Sequence, residues 1–268
     1  MRQYISQQNL DSDGFLSISG KDFRYLRNVL RVCVGDMVQV RLENDNLQPM
    51  TICKIDEKSK KITLQICDTT ADSSDFGENQ PRETAPIENL CFILFMAVPK
   101  SSKFDQIVRQ ATECGVKKII PVQTEFSQNG AEKMNFRSER FERIIKEARQ
   151  QSGSPVETKI SDCVNLNETC KIWKSECENL DEDENLAVVL YERNDSTVTI
   201  REACSKIKNL EKLKKIALFC GSEGGLSPDE IKNLCEAGFT AVHLKTNILR
   251  CETAAIYGIA ALQSILLN

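Results

Sequence analysis

The unbroken apolar run Cys91-Phe92-Ile93-Leu94-Phe95-Met96-Ala97-Val98 narrows the folds open to this chain. A strand that is apolar at every position has to be buried on both faces, which calls for a parallel sheet covered by helices. The next segments fit that demand. Lys103–Cys114 puts Phe104, Ile107, Val108, Ala111 and Cys114 at helical spacing. Further strands are expected at Lys118–Val122, Ala187–Tyr191, Ile216–Cys220 and Ala241–Leu244. Helices are expected between them at Phe136–Gln151, at roughly Val198–Leu210, at Pro228–Ala237 and at Thr253–Leu267. Alternating β and α elements predict an α/β fold with helices on both faces of a parallel sheet.

Residues 1–67 follow a different rule. Asp36–Leu42, Thr51–Asp56 and Lys61–Cys67 alternate with period two, and Glu57-Lys58-Ser59-Lys60 makes a polar turn. One short helix, Lys21–Leu30, precedes them. Short strands at regular spacing predict a small β-barrel. Thr69–Glu88 is polar and acidic and reads as a connection. The expected organisation is a barrel over residues 1–70, an acidic linker over 71–88 and a second domain over 89–268.

Composition excludes several chemistries. No run of about eighteen apolar residues is present and the first residues lack an apolar leader, so a soluble, cytoplasmic protein with no membrane partner is expected. The twelve cysteines form no C-x-x-C, and several lie in apolar strands as small hydrophobes. No metal is expected, because His243 is the only histidine and has no ligand cluster around it. Its position within Ala241-Val242-His243-Leu244 also argues against a Ser-His-Asp or Cys-His mechanism. The net charge of −4 is uneven: residues 1–67 carry +2, residues 68–88 carry −5, and further acid lies in Glu176–Glu184. Local basic faces therefore remain available elsewhere.

Two loops carry the candidate chemistry. Gly221-Ser222-Glu223-Gly224-Gly225-Leu226-Ser227 follows a strand, and its glycines let backbone amides approach a ligand. The spacing fits neither dinucleotide nor P-loop fingerprints, and Glu223 would repel a phosphate. Ser227-Pro228-Asp229-Glu230 then opens a helix as a capping box. Leu244-Lys245-Thr246-Asn247-Ile248-Leu249-Arg250-Cys251-Glu252-Thr253-Ala254 is the second loop, running into the terminal helix. Arg250 either pairs with Glu252 or faces an anionic group on a substrate.

Together, Gly-x-Glu-Gly-Gly-Leu-Ser and Ile-Leu-Arg-x-Glu-Thr-Ala resemble the paired signature of the ribosomal RNA small subunit methyltransferase E (RsmE) family of the SPOUT superfamily. Pro99–Asp105, Ala111–Val116, Ile120-Pro121 and Glu147-Ala148-Arg149-Gln150-Gln151-Ser152 extend the resemblance. So does Arg24–Arg31 followed by Gly35-Asp36, and the matching segments occur in the family's order. The chain departs from the pattern at Ser222, where the family has Pro, and at Lys245-Thr246-Asn247, where it has Gly-Pro-Arg. It departs again at Ser154, in place of Arg, and at Arg24-Tyr25, in place of two histidines.

The resemblance implies a PUA-like β-barrel followed by an α/β methyltransferase domain with a C-terminal trefoil knot, assembled as a homodimer. It implies that S-adenosyl-L-methionine binds among three loops, at Leu190, Tyr191 and Glu192, at Gly221, Glu223, Gly224 and Gly225, and at Leu244, Ile248, Leu249, Arg250, Thr253 and Ala254. The implied reaction is methylation of N3 of one uridine, 1498 in standard numbering, in 16S ribosomal RNA of the small ribosomal subunit. Uridine N3 must lose a proton to become nucleophilic. Arg250 could stabilise the anion, and Glu223 or Glu252 could act as base or orient the base. Arg24, Arg27 and Arg31, three and four residues apart on one helix, are candidate RNA contacts, joined by Lys100, Lys103 and Arg149. Two other readings stand beside this one: a SPOUT ribose 2′-O-methyltransferase, and a non-catalytic ribosome-binding protein.

Overall fold

The structure, a computed structural model, describes residues 3–67, 90–193 and 197–267. The stretches read as linker, Thr69–Glu88 and 71–88, lie outside the described residues. Two compact units each have their own sheet, one comprising residues 3–67 with 150–153 and the other residues 90–149 and 154–267.

The first unit begins with β1 (Gln3–Ile5), β2 (Phe15–Ser19) and α1 (Gly20–Arg24), and the helix widens into a π-helical turn over Tyr25–Leu30. Then come β3 (Met37–Arg41), β4 (Leu47–Asp56) and β5 (Lys61–Ile66), giving a curled sheet of order β1-β3-β4-β5-β2. Every pairing is antiparallel except β1 with β3. Period two sends Leu16, Ile18, Val38, Val40, Ile62 and Leu64 into one core. A register shift between Ile52 and Lys54 marks a bulge, a device that bends a sheet.

The predicted single helix Lys21–Leu30 is thus α-helical in its first part only. Its exit explains the ending: Arg31 takes the left-handed conformation (φ 57°), and Val32 N–H donates back to Leu26 O at 3.1 Å. This closure normally uses glycine, and here Arg31 takes its place.

The second unit opens with β6 (Cys91–Ala97), α2 (Ser101–Glu113), β7 (Lys118–Gln123), α3 (Glu139–Ser152), β8 (Lys159–Ile160) and β9 (Val164–Asn165). It continues through α4 (Leu166–Cys177), β10 (Asn185–Leu190), β11 (Val198–Thr199) and α5 (Ile200–Cys204). It ends with β12 (Lys215–Cys220), α6 (Pro228–Glu236), β13 (Thr240–His243) and α7 (Cys251–Leu266). The strand order is β11-β13-β10-β12-β6-β7-β8, with β9 also beside β7, and every pairing is parallel.

The apolar run of β6 serves both faces, as its composition demands. Phe92, Leu94 and Met96 join the core under α2, α3, α5 and α7, whereas Ile93, Phe95 and Ala97 join the core under α4 and α6. On the first face Phe104 meets Phe136 and Phe141 edge-on, with centroids 5.0 and 5.7 Å away. Phe104→Ala should therefore cost about 3–5 kcal/mol, read as a lowered denaturant midpoint with an unchanged slope. Stability within about 1 kcal/mol of wild type would show that this cluster collapses around the loss.

Two helices differ from expectation. The predicted Val198–Leu210 helix is α-helical only over Ile200–Cys204, with Thr199 as its N-cap, and Ser205 Oγ donates back to Glu202 O at its end. Helix α4 was not anticipated, although Asn165 and Glu168 form a reciprocal capping box at its start. The acidic stretch Glu176–Glu184 is partly neutralised: Glu176 pairs with Lys118 and Lys215 at 2.5 and 2.6 Å, and Glu184 with Lys214 at 2.5 Å. Among the described residues no helix is long and apolar enough to cross a membrane.

Candidate active site

Parallel sheets present ligand sites at the carboxyl ends of their strands, where the loops converge. Here β13, β10 and β12 are neighbours, and the segments leaving them line a cleft of about 500 Å³. Leu190, Tyr191 and Glu192 come from β10 and the residues after it, and Gly221, Glu223, Gly224 and Gly225 from the loop after β12. Leu244, Ile248, Leu249, Arg250 and Ala254 come from β13's loop and the start of α7. Three stretches far apart in sequence thus form one wall system, whereas Thr253 is exposed on α7 and does not line the cleft.

The glycine loop has little room for change. Gly225 sits at φ +73° and its N–H donates to Ser222 O at 3.0 Å, closing a tight turn. A Cβ on Gly221 would stand 3.0 Å from the carbonyl carbon and oxygen of Gly225. A Cβ on Gly225 would stand 3.3 Å from the Glu192 carboxylate, which places the β10 loop against the β12 loop. Beyond the loop Ser227 and Glu230 cap α6 reciprocally, and the second Glu230 oxygen accepts the Glu125 N–H at 2.8 Å.

Lys103, expected at an RNA surface, lines this cleft instead. Its ammonium lies 3.1 Å from Glu223 and 3.5 Å from Glu252, tying α2 to the glycine loop and to α7. Burial alone would raise the Glu223 carboxyl, but its own N–H, Lys103 and the Lys100 N–H outweigh that and hold it below the usual range. Glu252 behaves alike: burial raises it, while its own N–H, the Cys251 thiol and Lys103 bring it lower. The Lys103 ammonium is raised in turn, first by its hydrogen bond with Glu223.

These directions fix a pH window. The Glu223 contribution is complete above its unfolded-state value and is lost as pH falls through its depressed folded value. The Lys103 contribution is complete below its unfolded value and is lost as pH rises through its raised folded value. The pair is therefore flat across neutral pH. Lys103→Met should raise the Glu223 titration midpoint, followed by carboxyl-carbon NMR. An unmoved midpoint would show that the backbone N–H groups alone hold the carboxylate.

Arg250 does not form the ion pair with Glu252. Glu252 is engaged by Lys103 and Cys251, and the exposed Arg250 side chain has no hydrogen-bond or ion-pair partner among the described residues. Leu244 and Leu249 are half-buried, but Ile248 is 86% exposed and rims the cleft.

The other RNA candidates are spread more widely. Arg24 and Arg31 are exposed in the first unit, and Arg27 there is engaged by Glu57 at 2.8 Å and by the Val32 carbonyl at 2.6 Å. The π-helical turn opens the face that α-helical spacing would give these arginines. Lys100 is exposed in the loop before α2, whereas Arg149 is buried and donates to Pro155 O at 3.1 Å. Cys220, Ser222, Val242, His243, Thr246, Asn247 and Cys251 also line the cleft, although none was among the expected site residues. Their position at strand ends or within the quoted motifs was the available signal. His243 ends β13 with Nδ1 2.9 Å from Thr197 Oγ1.

A cleft built by three loops at the carboxyl ends of a parallel sheet, with glycines on one wall and a free arginine on another, defines a class. The profile of the RNA methyltransferase domain family matches residues 87–263. The chain belongs to that family, and within it to the ribosomal RNA small subunit methyltransferase E group. It is 27% identical to ribosomal RNA small subunit methyltransferase E 2 of Borreliella burgdorferi, over 99% of this chain and 98% of that protein. It is 25% identical to the Bacillus subtilis ribosomal RNA small subunit methyltransferase E, over 96% and 93%. The crystal structure of the Neisseria gonorrhoeae enzyme bound to S-adenosyl methionine superposes with a TM-score of 0.73, at 22% identity over 99% of this chain and 98% of that one. That likeness shows a shared fold.

Proposed function

We propose that this protein methylates N3 of one uridine (1498 in standard numbering) in 16S ribosomal RNA, with S-adenosylmethionine as methyl donor. The unpartnered Arg250 at the mouth of a glycine-walled cleft carries this reading. The cleft suits the donor chemically. Leu190, Leu244 and Leu249 offer an apolar bed, the glycine loop offers backbone groups to an uncharged adenine, and carboxylates of Glu192 and Glu223 suit a cationic sulfonium. When bound, the donor supplies an electrophilic methyl group and leaves as a neutral thioether.

The chain's own residues then have distinct tasks. As the uridine N3 proton departs, negative charge spreads over the flanking carbonyl oxygens, where the Arg250 guanidinium is placed to receive it. Glu223 and Glu252 are poor proton acceptors because hydrogen bonds and Lys103 stabilise their ionised forms. Arg250 makes N3–H more acidic by stabilising the anion and lets the proton pass to water. Arg24, Arg31 and Lys100 are the exposed cations read as contacts to RNA phosphates, and Arg27 and Arg149 act by holding their own segments. The reading includes a cytoplasmic homodimer with a C-terminal knot. The half-exposed Tyr257, a large aromatic on the outward side of α7 with the exposed Thr253, Ala260 and Ser264, supports a subunit contact there.

The deciding experiment incubates the purified protein, isotopically methyl-labelled S-adenosylmethionine and small ribosomal subunits, then identifies the labelled nucleoside by mass spectrometry. N3-methyluridine is expected. A 2′-O-methylated nucleoside, or S-adenosylmethionine binding without label transfer, would overturn the proposal.

A further inference from the structure

Phe126 is a large aromatic side chain left 45% exposed, on a loop with little freedom to move. Thr124 Oγ1 and Ser127 Oγ lie 2.8 Å apart, Ser127 Oγ donates to Val122 O at 3.2 Å, and Glu125 N–H donates to the buried Glu230 carboxylate. The Ser222 hydroxyl donates to Phe126 O at 2.7 Å, and Gln128 N–H donates to Val98 O at 2.9 Å. These bonds join the Phe126 loop to the glycine loop and to the segment leading into Lys100 and Lys103. Gly224, which lines the cleft, lies directly against the ring: a Cβ there would come within 2.6 Å of Phe126 Cβ and 3.0 Å of its Cγ. A large apolar ring is thus left partly open to solvent beside a residue that lines the cleft.

We infer that Phe126 is a stacking platform for an unpaired RNA base, positioning the strand whose uridine enters the cleft. Aromatic faces stack on splayed bases, and nearby cations hold the backbone that carries them. Lys100 supplies such a cation: it is exposed, its side chain has no partner among the described residues, and its backbone N–H is bonded to Glu223 in the same loop system. The inference rests on the methyltransferase reading, and adds to it a residue that selects single-stranded RNA.

The test uses fluorescence, because the only tryptophan, Trp173, is 3% exposed and contributes a constant background. In Phe126→Trp, a short mixed-sequence single-stranded RNA should quench the emission of the new indole, and the matched duplex should not. Phe126→Ala should bind the single strand roughly five- to fiftyfold more weakly, and Phe126→Tyr should bind it as wild type does. S-adenosylmethionine affinity, measured by calorimetry, should stay within about twofold in all three variants. The inference is overturned by unchanged emission at saturating RNA, or by wild-type RNA affinity in Phe126→Ala. It is also overturned if emission changes with protein concentration alone, since a second copy then covers the ring. Wild-type protein that binds no S-adenosylmethionine while Phe126→Trp still reports RNA would sink the methyltransferase reading and leave the stacking role standing.

Discussion

Arg250→Ala is expected to slow methyl transfer by about two to three orders of magnitude while the protein melts as wild type does. Structure makes the two halves of that result separable. Arg250 is the residue before α7, and its contribution to the helix is the carbonyl that accepts Ala254 N–H at 2.7 Å, which alanine supplies equally. Its guanidinium is bonded to nothing among the described residues, so removing it leaves no group stranded. The loss should fall on the chemical step, read as a single-turnover rate at saturating RNA and donor. Arg250→Lys should recover part of it, since a point charge replaces the planar fork. A wild-type rate in Arg250→Ala would remove the residue from the reaction.

Gly221→Ala should have the second largest effect, through the backbone. The new methyl group would meet the carbonyl carbon and oxygen of Gly225 at 3.0 Å and its Cα at 3.1 Å. No side chain can swing aside to make room, so the turn closed by Gly225 N–H and Ser222 O must open. S-adenosylmethionine affinity should fall at least about tenfold in calorimetry, a loss of roughly 1.4 kcal/mol. Single-stranded RNA affinity should be nearly unchanged. Undiminished donor affinity would mean that the glycine wall does not hold the cofactor.

Much of this site was legible because its parts are short and local. Glycines after an apolar strand, a capping box after the glycines, and an arginine before a terminal apolar helix are each visible within a dozen residues. The parallel sheet was legible from β6, where a run apolar at every position admits few alternatives. Partnerships over long separations were not legible. Lys103 reads as a surface lysine until α2 is packed beside two carboxylates more than a hundred residues away. Nothing in the sequence singles out Phe126, whose segment is bonded to Ser222 in the glycine loop and to Glu230 in α6, about a hundred residues away. Helix α4 was missed although its inward stripe of Leu166, Cys170, Trp173 and Cys177 has a helical period once cysteine is counted as a hydrophobe. The π-helical turn before Arg31 had no local signal, since its residues fit an ordinary helix equally well.

Two thiols in the cleft wall bear on the protein's chemical durability. Cys251 is pushed up to about 12, first by burial and then by its hydrogen bond to Glu252 and the charge of Glu223. Cys220, wholly enclosed, is raised further by burial. Only the deprotonated sulfur attacks an alkylating agent, and burial and the neighbouring carboxylates disfavour that form of Cys251 at neutral pH. For a protein proposed to keep a reactive sulfonium within its walls, this amounts to immunity from its own reagent: the softest nucleophiles lining the cleft stay capped by their protons, and the methyl group is left for the RNA.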